Sequence, residues 1–240
     1  MRSVLISGAS RGLGAALART FAARGDQVFS GVRTPRAGVK GDVPLNVRCL
    51  DSTAAAAAQV AAAAGGIDIL INNAGVHLAG PLASLEQDDF KTTLDVNLLG
   101  AWRLTKAALP HMRAGGTIAM ISSLSGLVGL PEDGAYAASK FALEGMSQSL
   151  AAEVAPLGLR VLIFEPGRIA TGFAGVDSGD SAEEVAEMIA ARIERADTPF
   201  RNPLGEIGRA VTAQLGLDDG SRAEAVVTAV TGRRWARQNA

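Results

Sequence analysis

The segment Ser7-Gly8-Ala9-Ser10-Arg11-Gly12-Leu13-Gly14 joins an apolar run to a stretch rich in alanine, leucine and arginine. The apolar run, residues 2–7, predicts a buried strand, and residues 12–24 have the apolar spacing of a helix. Glycine adopts backbone conformations that other residues avoid, so the glycines of this segment predict a tight turn between strand and helix. A strand, a turn and a helix in this order are typical of the first unit of a parallel sheet.

The same alternation continues along the chain. Short runs rich in valine, isoleucine and leucine predict further strands at residues 27–32, 46–50, 67–72, 116–122 and 159–165. Longer stretches predict further helices at residues 53–64, 88–113, 134–156 and 181–196. Residues 198–203 predict a loop, and the one candidate for a seventh strand, residues 225–231, fits a helix equally well. We therefore predict an α/β fold of Rossmann type: a doubly wound parallel sheet of six or seven strands with helices on both faces, in a single domain over residues 1–240.

Composition limits the classes of function. The chain has 240 residues, 48% of them hydrophobic, which is enough for one large α/β domain. Its formal net charge is -1, without long runs of either sign, so we expect neither a nucleic-acid partner nor a membrane partner. The single cysteine, Cys49, lies in the apolar run 47–50 and predicts a buried thiol without an internal disulfide. A reducing, cytoplasmic location is therefore expected.

The glycine-rich turn also predicts a ligand. Glycines in the first strand-to-helix turn let the backbone approach a pyrophosphate, whose charge is then met by the helix N-terminus. The order G-x-x-x-G-x-G departs from the commoner G-x-G-x-x-G pattern, but its position in the chain is the informative feature. We predict that a dinucleotide cofactor binds here, and the residues expected to hold it are Gly8, Ser10, Arg11, Gly12, Leu13 and Gly14.

The end of the second predicted strand indicates which dinucleotide binds. An acidic residue there would accept a hydrogen bond from the ribose 2′-hydroxyl of NAD and repel a 2′-phosphate. The chain has Val32 and Arg33 instead, and Arg11 in the glycine turn is a second guanidinium. Guanidinium groups bind phosphate oxygens bidentately, so NADP(H) is expected, although both arginines would also be ordinary at a protein surface. Asp51, after the predicted third strand, is expected to accept a hydrogen bond from the adenine amino group.

A tyrosine and a lysine have the spacing of a proton-transfer pair. Tyr136 is the only tyrosine in the chain, and Lys140 follows one helical turn later, so the two side chains share a helix face. A nearby ammonium is expected to lower the pKa of the phenol, normally about 10, and to make proton transfer to a carbonyl oxygen easier. Ser123, at the end of the apolar run 117–121, can present its hydroxyl to the same place.

Four separated blocks resemble the short-chain dehydrogenase/reductase family, and among its members the NADP-preferring carbonyl reductases. They are Gly8…Gly12-x-Gly14, Asn72-Asn73-Ala74-Gly75, Ser123…Tyr136-x-x-x-Lys140 and Pro166-Gly167…Thr171, and they cover residues 1 to about 172. The resemblance implies that Asn73, Ala74 and Gly75 border the cofactor. It also implies that Pro166, Gly167, Ile169 and Thr171 lie at the nicotinamide end.

The resemblance assigns roles to four catalytic residues. Tyr136 would be the general acid in carbonyl reduction and the base in alcohol oxidation, and Ser123 would stabilise the charge on the substrate oxygen. Lys140 would lower the tyrosine pKa and, together with Tyr136, contact the cofactor at its ribose. Asn97 would anchor a water behind the lysine, and a kink in its helix would explain an asparagine there. No metal is expected, and His77 and His111 have no ligand pattern around them.

These predictions together favour an NADPH-dependent oxidoreductase that reversibly reduces a ketone or aldehyde. One alternative is an NAD-dependent secondary-alcohol dehydrogenase, which the missing acid at Val32 disfavours. Another is a non-catalytic nucleotide-binding sensor or scaffold, in which we would expect Tyr136 or Lys140 to be lost. A third is a relative without hydride transfer, such as a dehalogenase, in which arginine replaces the lysine.

Two further expectations concern the rest of the chain. Residues 172–216 begin with a tract rich in glycine, serine and aspartate, and we predict that they form a lid over a small-molecule carbonyl or alcohol substrate. The predicted helices 88–113 and 134–156 carry small apolar residues suited to pairing with a second subunit. A homodimer or homotetramer is therefore expected.

Overall fold

Every residue of the first strand is buried, and its side chains alternate between two apolar layers. Val4 and Ile6 belong to one cluster of core residues, whereas Leu5 belongs to the other. A strand with apolar neighbours on both sides needs helices on both faces of its sheet, which is the usual setting of parallel strands.

The strands can be given in chain order. The structure is a computed structural model that describes residues 1–171, 173 and 178–235. Its strands are Ser3–Ser7 (β1), Gln27–Val32 (β2), Asp42–Pro44 (β3), Ile67–Asn72 (β4), Met112–Ile121 (β5), Arg160–Glu165 (β6), Ile169–Ala170 (β7), Asp180–Ser181 (β8) and Arg201–Pro203 (β9). Seven of them form one parallel sheet in the order β3-β2-β1-β4-β5-β6-β9, and β7 pairs with β8 separately.

Helices cover both faces of this sheet. They are Gly12–Ala23 (α1), Leu50–Ala64 (α2), Gln87–Leu94 (α3), Gly100–Ala108 (α4), Gly134–Val154 (α5), Ala182–Glu194 (α6), Gly205–Gln214 (α7) and Ser221–Thr231 (α8). Helices α1 and α6 pack on one face, with Leu17 and Val185 in that core, and α2, α4 and α5 pack on the other. The predicted Rossmann-type fold is confirmed, with seven strands in the sheet. Among the described residues, no helix is both long and apolar enough to cross a membrane.

The third strand was predicted in the wrong place. The third strand, β3, lies at Asp42–Pro44 instead of residues 46–50. Residues 46–49 form a turn that leads into α2. Asn46 stabilises the turn, because its carbonyl accepts a hydrogen bond from the amide of Cys49 at 3.0 Å and its side chain accepts one from the amide of Arg48 at 3.1 Å. Cys49 is exposed, which also corrects the prediction of a buried thiol.

The long helix predicted at residues 88–113 is divided. It consists of α3, a π-helical turn at Asp95–Leu99, and α4, followed by a short 3₁₀ turn at Leu109–His111. Pro110 cannot donate a backbone hydrogen bond, which explains why the α-helix ends before it and why β5 already begins at Met112. The predicted kink around Asn97 is confirmed by the π turn.

The seventh strand was also misplaced, because it is polar. The predicted loop 198–203 contains β9, whereas the candidate strand 225–231 lies in α8. Strand β9 is held at the sheet edge by a carboxylate: Glu165 Oε1 accepts a hydrogen bond from Arg201 at 2.9 Å, and Oε2 accepts one from the amide of Asn202 at 3.0 Å. A strand stabilised in this way has no apolar alternation to detect.

The residues of the predicted lid, 172–216, have several different positions. Gly172 and residues 174–177 lie outside the described part of the chain. Helix α6 packs against the sheet with Val185 and Ile189 fully buried, and β9 belongs to the sheet, so neither of these elements can be a lid. Among the described helices and strands of 172–216, the prediction of a lid therefore remains for β8 and for α7.

Candidate active site

The glycine-rich turn is packed closely against other predicted cofactor residues. Gly8 and Gly12 have positive φ values of 69° and 55°, in the left-handed region that favours glycine. A Cβ atom at Gly8 would lie 2.8 Å from the Cα atom of Ala74, and one at Gly12 would lie 3.3 Å from the Cβ atom of Thr171. Three of the four sequence blocks therefore meet at this turn.

Asn73 ties the end of β4 to the same turn. Its side-chain amide donates hydrogen bonds to the carbonyl oxygens of Ser7, at 2.9 Å, and Gly8, at 3.3 Å. The hydroxyl of Ser7 accepts hydrogen bonds from the backbone amides of Asn73 and Ala74, both at 3.0 Å. A Cβ atom at Gly14 would lie 2.5 Å from Asn73 Nδ2, so only glycine fits between these groups.

A cavity of about 660 Å³ opens beside the N-terminus of α1. It is lined by Ser10, Arg11, Gly12, Ala15, Arg19, Arg36, Ala170, Thr171, Ala182 and Glu183. A glycine cradle, a helix N-terminus and several guanidinium groups suit the phosphates of a dinucleotide, so the residues present fit such a cofactor. The sequence did not point to Arg36, which forms an ion pair with Asp42 at 2.6 Å and lowers the pKa of that carboxyl.

Two of the predicted cofactor residues that do not line this cavity are exposed at the protein surface. Arg33 is exposed just after β2, and Asp51 is exposed in the first turn of α2 rather than after a strand. Neither residue lines the cavity described above. The structure therefore groups the glycine turn, Asn73, Ala74 and Thr171, and leaves Arg33 and Asp51 at the surface.

Helix α5 brings Tyr136 and Lys140 to the end of β5. Lys140 Nζ lies 5.5 Å from the centre of the Tyr136 ring and donates a hydrogen bond to the carbonyl oxygen of Ile121 at 2.7 Å. Ile121 is the last residue of β5, two positions before Ser123. The Ser123 side chain lies close enough to the Tyr136 phenol to lower its pKa, so the three predicted residues share one site.

The acidity of these groups differs from the expectation. Burial raises the pKa of Tyr136 above its ordinary value, and the neighbouring Ser123 hydroxyl, which lowers the pKa, only partly opposes this effect. The expected net lowering of this pKa is therefore wrong for this structure, because burial outweighs the effect of the Lys140 ammonium. Burial also lowers the pKa of Lys140 to about 8, opposed by the charge of Glu144 one turn further along α5.

Asn97 connects the segment after β4 to α5. Its side-chain oxygen accepts a hydrogen bond from the amide of Val76 at 2.8 Å, and its Nδ2 donates to the carbonyl of Val76 at 2.9 Å. The same Nδ2 donates to the Ser139 hydroxyl at 3.0 Å, which in turn donates to the carbonyl of Tyr136 at 2.6 Å. The side chain of Asn97 thus braces the helical turn that carries the phenol.

The remaining predicted residues lie on the segment after β6 and opposite the π turn. The carbonyl of Pro166 accepts a hydrogen bond from the amide of Leu124 at 3.2 Å, and a Cβ atom at Gly167 would lie 3.8 Å from Ile207 of α7. Ile169 belongs to β7. A Cβ atom at Gly75 would lie 3.4 Å from the side-chain oxygen of Asn97.

Three residues that were not predicted as site residues, His77, Asp133 and Ser125, form a connected group next to Tyr136. The His77 ring contacts the Tyr136 ring edge-on, with centroids 4.8 Å apart. His77 Nε2 forms a hydrogen bond with Asp133, whose other oxygen accepts one from the Ser125 hydroxyl at 2.5 Å. The available signal was Asp133, an acidic residue directly before the helix of Tyr136, because that position normally caps a helix.

A buried charge cluster lies behind Lys140. Arg201 forms ion pairs with Glu144 at 3.0 Å and with Glu165 at 2.9 Å, and all three side chains are buried. Burial raises the pKa of both carboxyls, and the guanidinium of Arg201 opposes that shift. The cluster joins α5, β6 and β9 directly below the catalytic end of the sheet.

Arg201→Met should destabilise the protein by about 3–5 kcal/mol, because it leaves two buried carboxyls without their shared cation. Urea unfolding would measure the loss, which should shrink as the pH falls because protonation removes the unpaired charges. Arg195→Met, which removes an exposed partner of Asp197, is the matched control and should change stability little. Equal effects of the two substitutions would contradict a structural role for the cluster.

The fold and the site together are typical of nucleotide-dependent oxidoreductases: a Rossmann-type sheet has a glycine cradle after β1, and serine, tyrosine and lysine side chains gather on α5 and at the end of β5. The chain belongs to the short chain dehydrogenase family, whose model matches residues 2–181.

Individual relatives agree with this assignment. The chain is 37% identical over 174 residues to a 3-ketodihydrosphingosine reductase of Bacteroides thetaiotaomicron, covering 71% of this chain and 65% of that relative, which is just under two thirds of its length. It is 36% identical to the oxidoreductase UcpA of Escherichia coli, over 81% of this chain and 80% of the relative.

Solved structures match as well. A short-chain dehydrogenase of Streptomyces avermitilis superposes with a TM-score of 0.81 at 30% identity, over 96% of this chain and 97% of the other. A short-chain dehydrogenase of Burkholderia cenocepacia in complex with NADP superposes with a TM-score of 0.73 at 31% identity, over 80% of this chain and 90% of the other.

Proposed function

We propose that the protein is an NADPH-dependent oxidoreductase that reversibly reduces a ketone or aldehyde to an alcohol. The observation that carries the proposal is the placement of Tyr136, beside Ser123 and with its ring centre 5.5 Å from the ammonium of Lys140. A phenol beside a hydroxyl and a cation is suited to giving a proton to a carbonyl oxygen and taking it back from an alcohol.

Each residue of the site has a separate task in this proposal. Tyr136 donates the proton to the substrate oxygen, and Ser123 donates a hydrogen bond that stabilises the charge developing there. Lys140 stabilises the phenolate that remains, and Asn97 holds the segment after β4 against the helix that carries Tyr136. NADPH, when bound, supplies the hydride for the carbonyl carbon.

The proposed cofactor residues follow the geometry of the glycine turn. Ser10, Arg11 and Gly12 line the cavity at the N-terminus of α1, which supports their proposed role at the phosphates. Leu13, buried in the first turn of α1, is proposed to contact the cofactor there as well. Arg33 and Asp51 are proposed to contact the adenosine end, and Asn73, Ala74 and Gly75 are proposed to border the cofactor. The residues proposed at the nicotinamide end are Tyr136, Lys140, Pro166, Gly167, Ile169 and Thr171. The absence of an acid at Val32 and the NADP-bound Burkholderia structure both support NADPH over NADH.

Arg33→Ala should lower the preference for NADPH over NADH by about tenfold or more, because one charge-assisted hydrogen bond to a phosphate is worth roughly 1.5–3 kcal/mol. The measurement is kcat/KM with each cofactor at a fixed ketone concentration. Arg222→Ala, which removes an exposed guanidinium from α8, is the control and should leave the ratio unchanged. A wild-type protein that used NADH as well as NADPH would overturn the choice of cofactor.

Two further features belong to the proposal. Trp102 on α4 and Phe141 on α5 are large exposed apolar side chains, and they support pairing of these helices with a second copy in a homodimer or homotetramer. The free Cys49 thiol supports a reducing, cytoplasmic setting. A small-molecule carbonyl compound is the proposed substrate, as the name of the Bacteroides relative indicates for that protein.

A further inference from the structure

Asp133 occupies a helix-capping position without capping the helix. It directly precedes α5, where an aspartate side chain normally accepts a hydrogen bond from the first backbone amides, yet it makes no such bond. Its two carboxylate oxygens instead accept a hydrogen bond from the Ser125 hydroxyl and pair with Nε2 of His77. A side-chain cap of this kind stabilises a helix by about 1 kcal/mol. Asp133 does not contribute this stabilisation, because its carboxylate binds Ser125 and His77 instead.

The His77 ring lies between Asp133 and the Tyr136 ring and contacts both. Its ring meets the Tyr136 ring at an interplanar angle of 68° and a centroid distance of 4.8 Å. The side chains of His77 and Asp133 are largely buried, at 16% and 13% exposure, so water does not separate the pair. Asn97 holds Val76, the residue before His77, by two backbone hydrogen bonds, which limits how far the ring can move.

We propose that Asp133 and His77 form a pair that positions the Tyr136 ring, and that the Asp133 carboxylate opposes ionisation of the phenol and keeps the proton available for carbonyl reduction. The proposal rests on the proposed function insofar as Tyr136 is the proton donor. Asp133 and His77 are positioning residues in this scheme, because they act on Tyr136 and do not touch the reacting atoms.

The charges around the phenol determine the sign of the effect. Lys140, on the same helix, favours phenolate, and Glu144 partly offsets that cation from one turn further along. Ser123 at the end of β5 also favours phenolate by hydrogen bonding, whereas the carboxylate of Asp133 disfavours it. Removing the Asp133 charge should therefore lower the pKa of the phenol.

The single tyrosine makes a direct test possible. The near-ultraviolet absorbance of phenolate reports Tyr136 alone, without substrate or cofactor, because the chain has no other phenol. Asp133→Asn keeps the shape of the side chain and removes its charge. At each pH where circular dichroism shows folded protein, we expect a phenolate fraction about three- to tenfold larger than in the wild type, which corresponds to a pKa lower by about half a unit to one unit.

Glu132→Gln is the matched control, because it removes an exposed negative charge from the neighbouring residue. It should change the phenolate fraction much less than Asp133→Asn does. A phenolate fraction that is unchanged or smaller in Asp133→Asn would overturn the proposed effect of charge. A purely structural role of Asp133 would lower stability without this spectroscopic change.

His77→Gln tests the positioning effect separately. It leaves the Asp133 charge in place, so the phenolate fraction should not rise, but kcat for ketone reduction should fall by about tenfold or more with a smaller change in KM. An unchanged kcat would contradict the positioning role. If the wild-type protein reduced no carbonyl compound while Asp133→Asn still raised the phenolate fraction, the proposed function would fail and the pair would stand.

Discussion

Tyr136→Phe should lower kcat for carbonyl reduction by about 10²–10⁴-fold while the protein remains folded. The substitution removes the phenolic proton, and general acid catalysis by a positioned group is typically worth that factor. The ring itself is kept, so its packing against His77 and Phe173 should persist, with centroids 4.8 and 6.2 Å away in the present structure. Spectrophotometric assays of NADPH consumption would measure kcat. Circular dichroism would show whether the variant is folded.

The control for this prediction lies on the same helix. Ser149→Ala removes an exposed hydroxyl of α5 that donates a hydrogen bond to Glu153, and it should leave kcat unchanged. A Tyr136→Phe protein with most of the wild-type kcat would show that another group supplies the proton.

Gly14→Ala is expected to have the second large effect, on both stability and cofactor binding. Its new Cβ atom would lie 2.5 Å from Asn73 Nδ2 and even closer to the carbonyl oxygen of Gly8, so the turn and the end of β4 must separate. Overpacking of this kind costs about 1–3 kcal/mol of unfolding free energy. Because the same groups shape the glycine cradle, the Kd for NADPH should also rise by at least about tenfold.

Urea unfolding and NADPH fluorescence titration would measure these two effects. Gly145→Ala is the matched control for stability, since a Cβ atom there has no neighbour within 4 Å and the residue lies in the exposed part of α5. That substitution should leave stability unchanged or raise it slightly, because alanine favours a helix over glycine. Similar losses in both variants would indicate a general effect of adding a methyl group at a helix glycine, and not the close approach at Gly14.

The sequence predicted correctly those elements whose conformation depends on residues close together in the chain. The turn at Gly8 and Gly12 was recognisable because positive φ values and close packing both require glycine. Strand β9 was not recognisable, because Arg201 and Asn202 are held in the sheet by Glu165, which lies 36 and 37 positions earlier in the chain. Polar strands of this kind depend on a partner that only the fold brings near.

The candidate site shows the same division. Tyr136 and Lys140 were paired correctly because helical spacing alone brings them together. His77 was set aside because no ligand or catalytic partner is near it in sequence, yet Asp133, 56 positions later, binds its ring beside the phenol. The direction of the tyrosine pKa was also wrong, because the helical spacing shows the cation but not the burial that outweighs it.

The proposed function requires that a hydride passes from NADPH to a carbonyl carbon while Tyr136 supplies the proton. The most direct test is to incubate the protein with a panel of ketones and NADPH deuterated at the transferring position of the nicotinamide, and to analyse the alcohols by mass spectrometry. We predict one deuterium on the former carbonyl carbon of at least one product, with little product from Tyr136→Phe. Product without deuterium at that carbon would contradict the proposed hydride transfer. Equal amounts of labelled product from Tyr136→Phe would contradict the role of Tyr136 as proton donor.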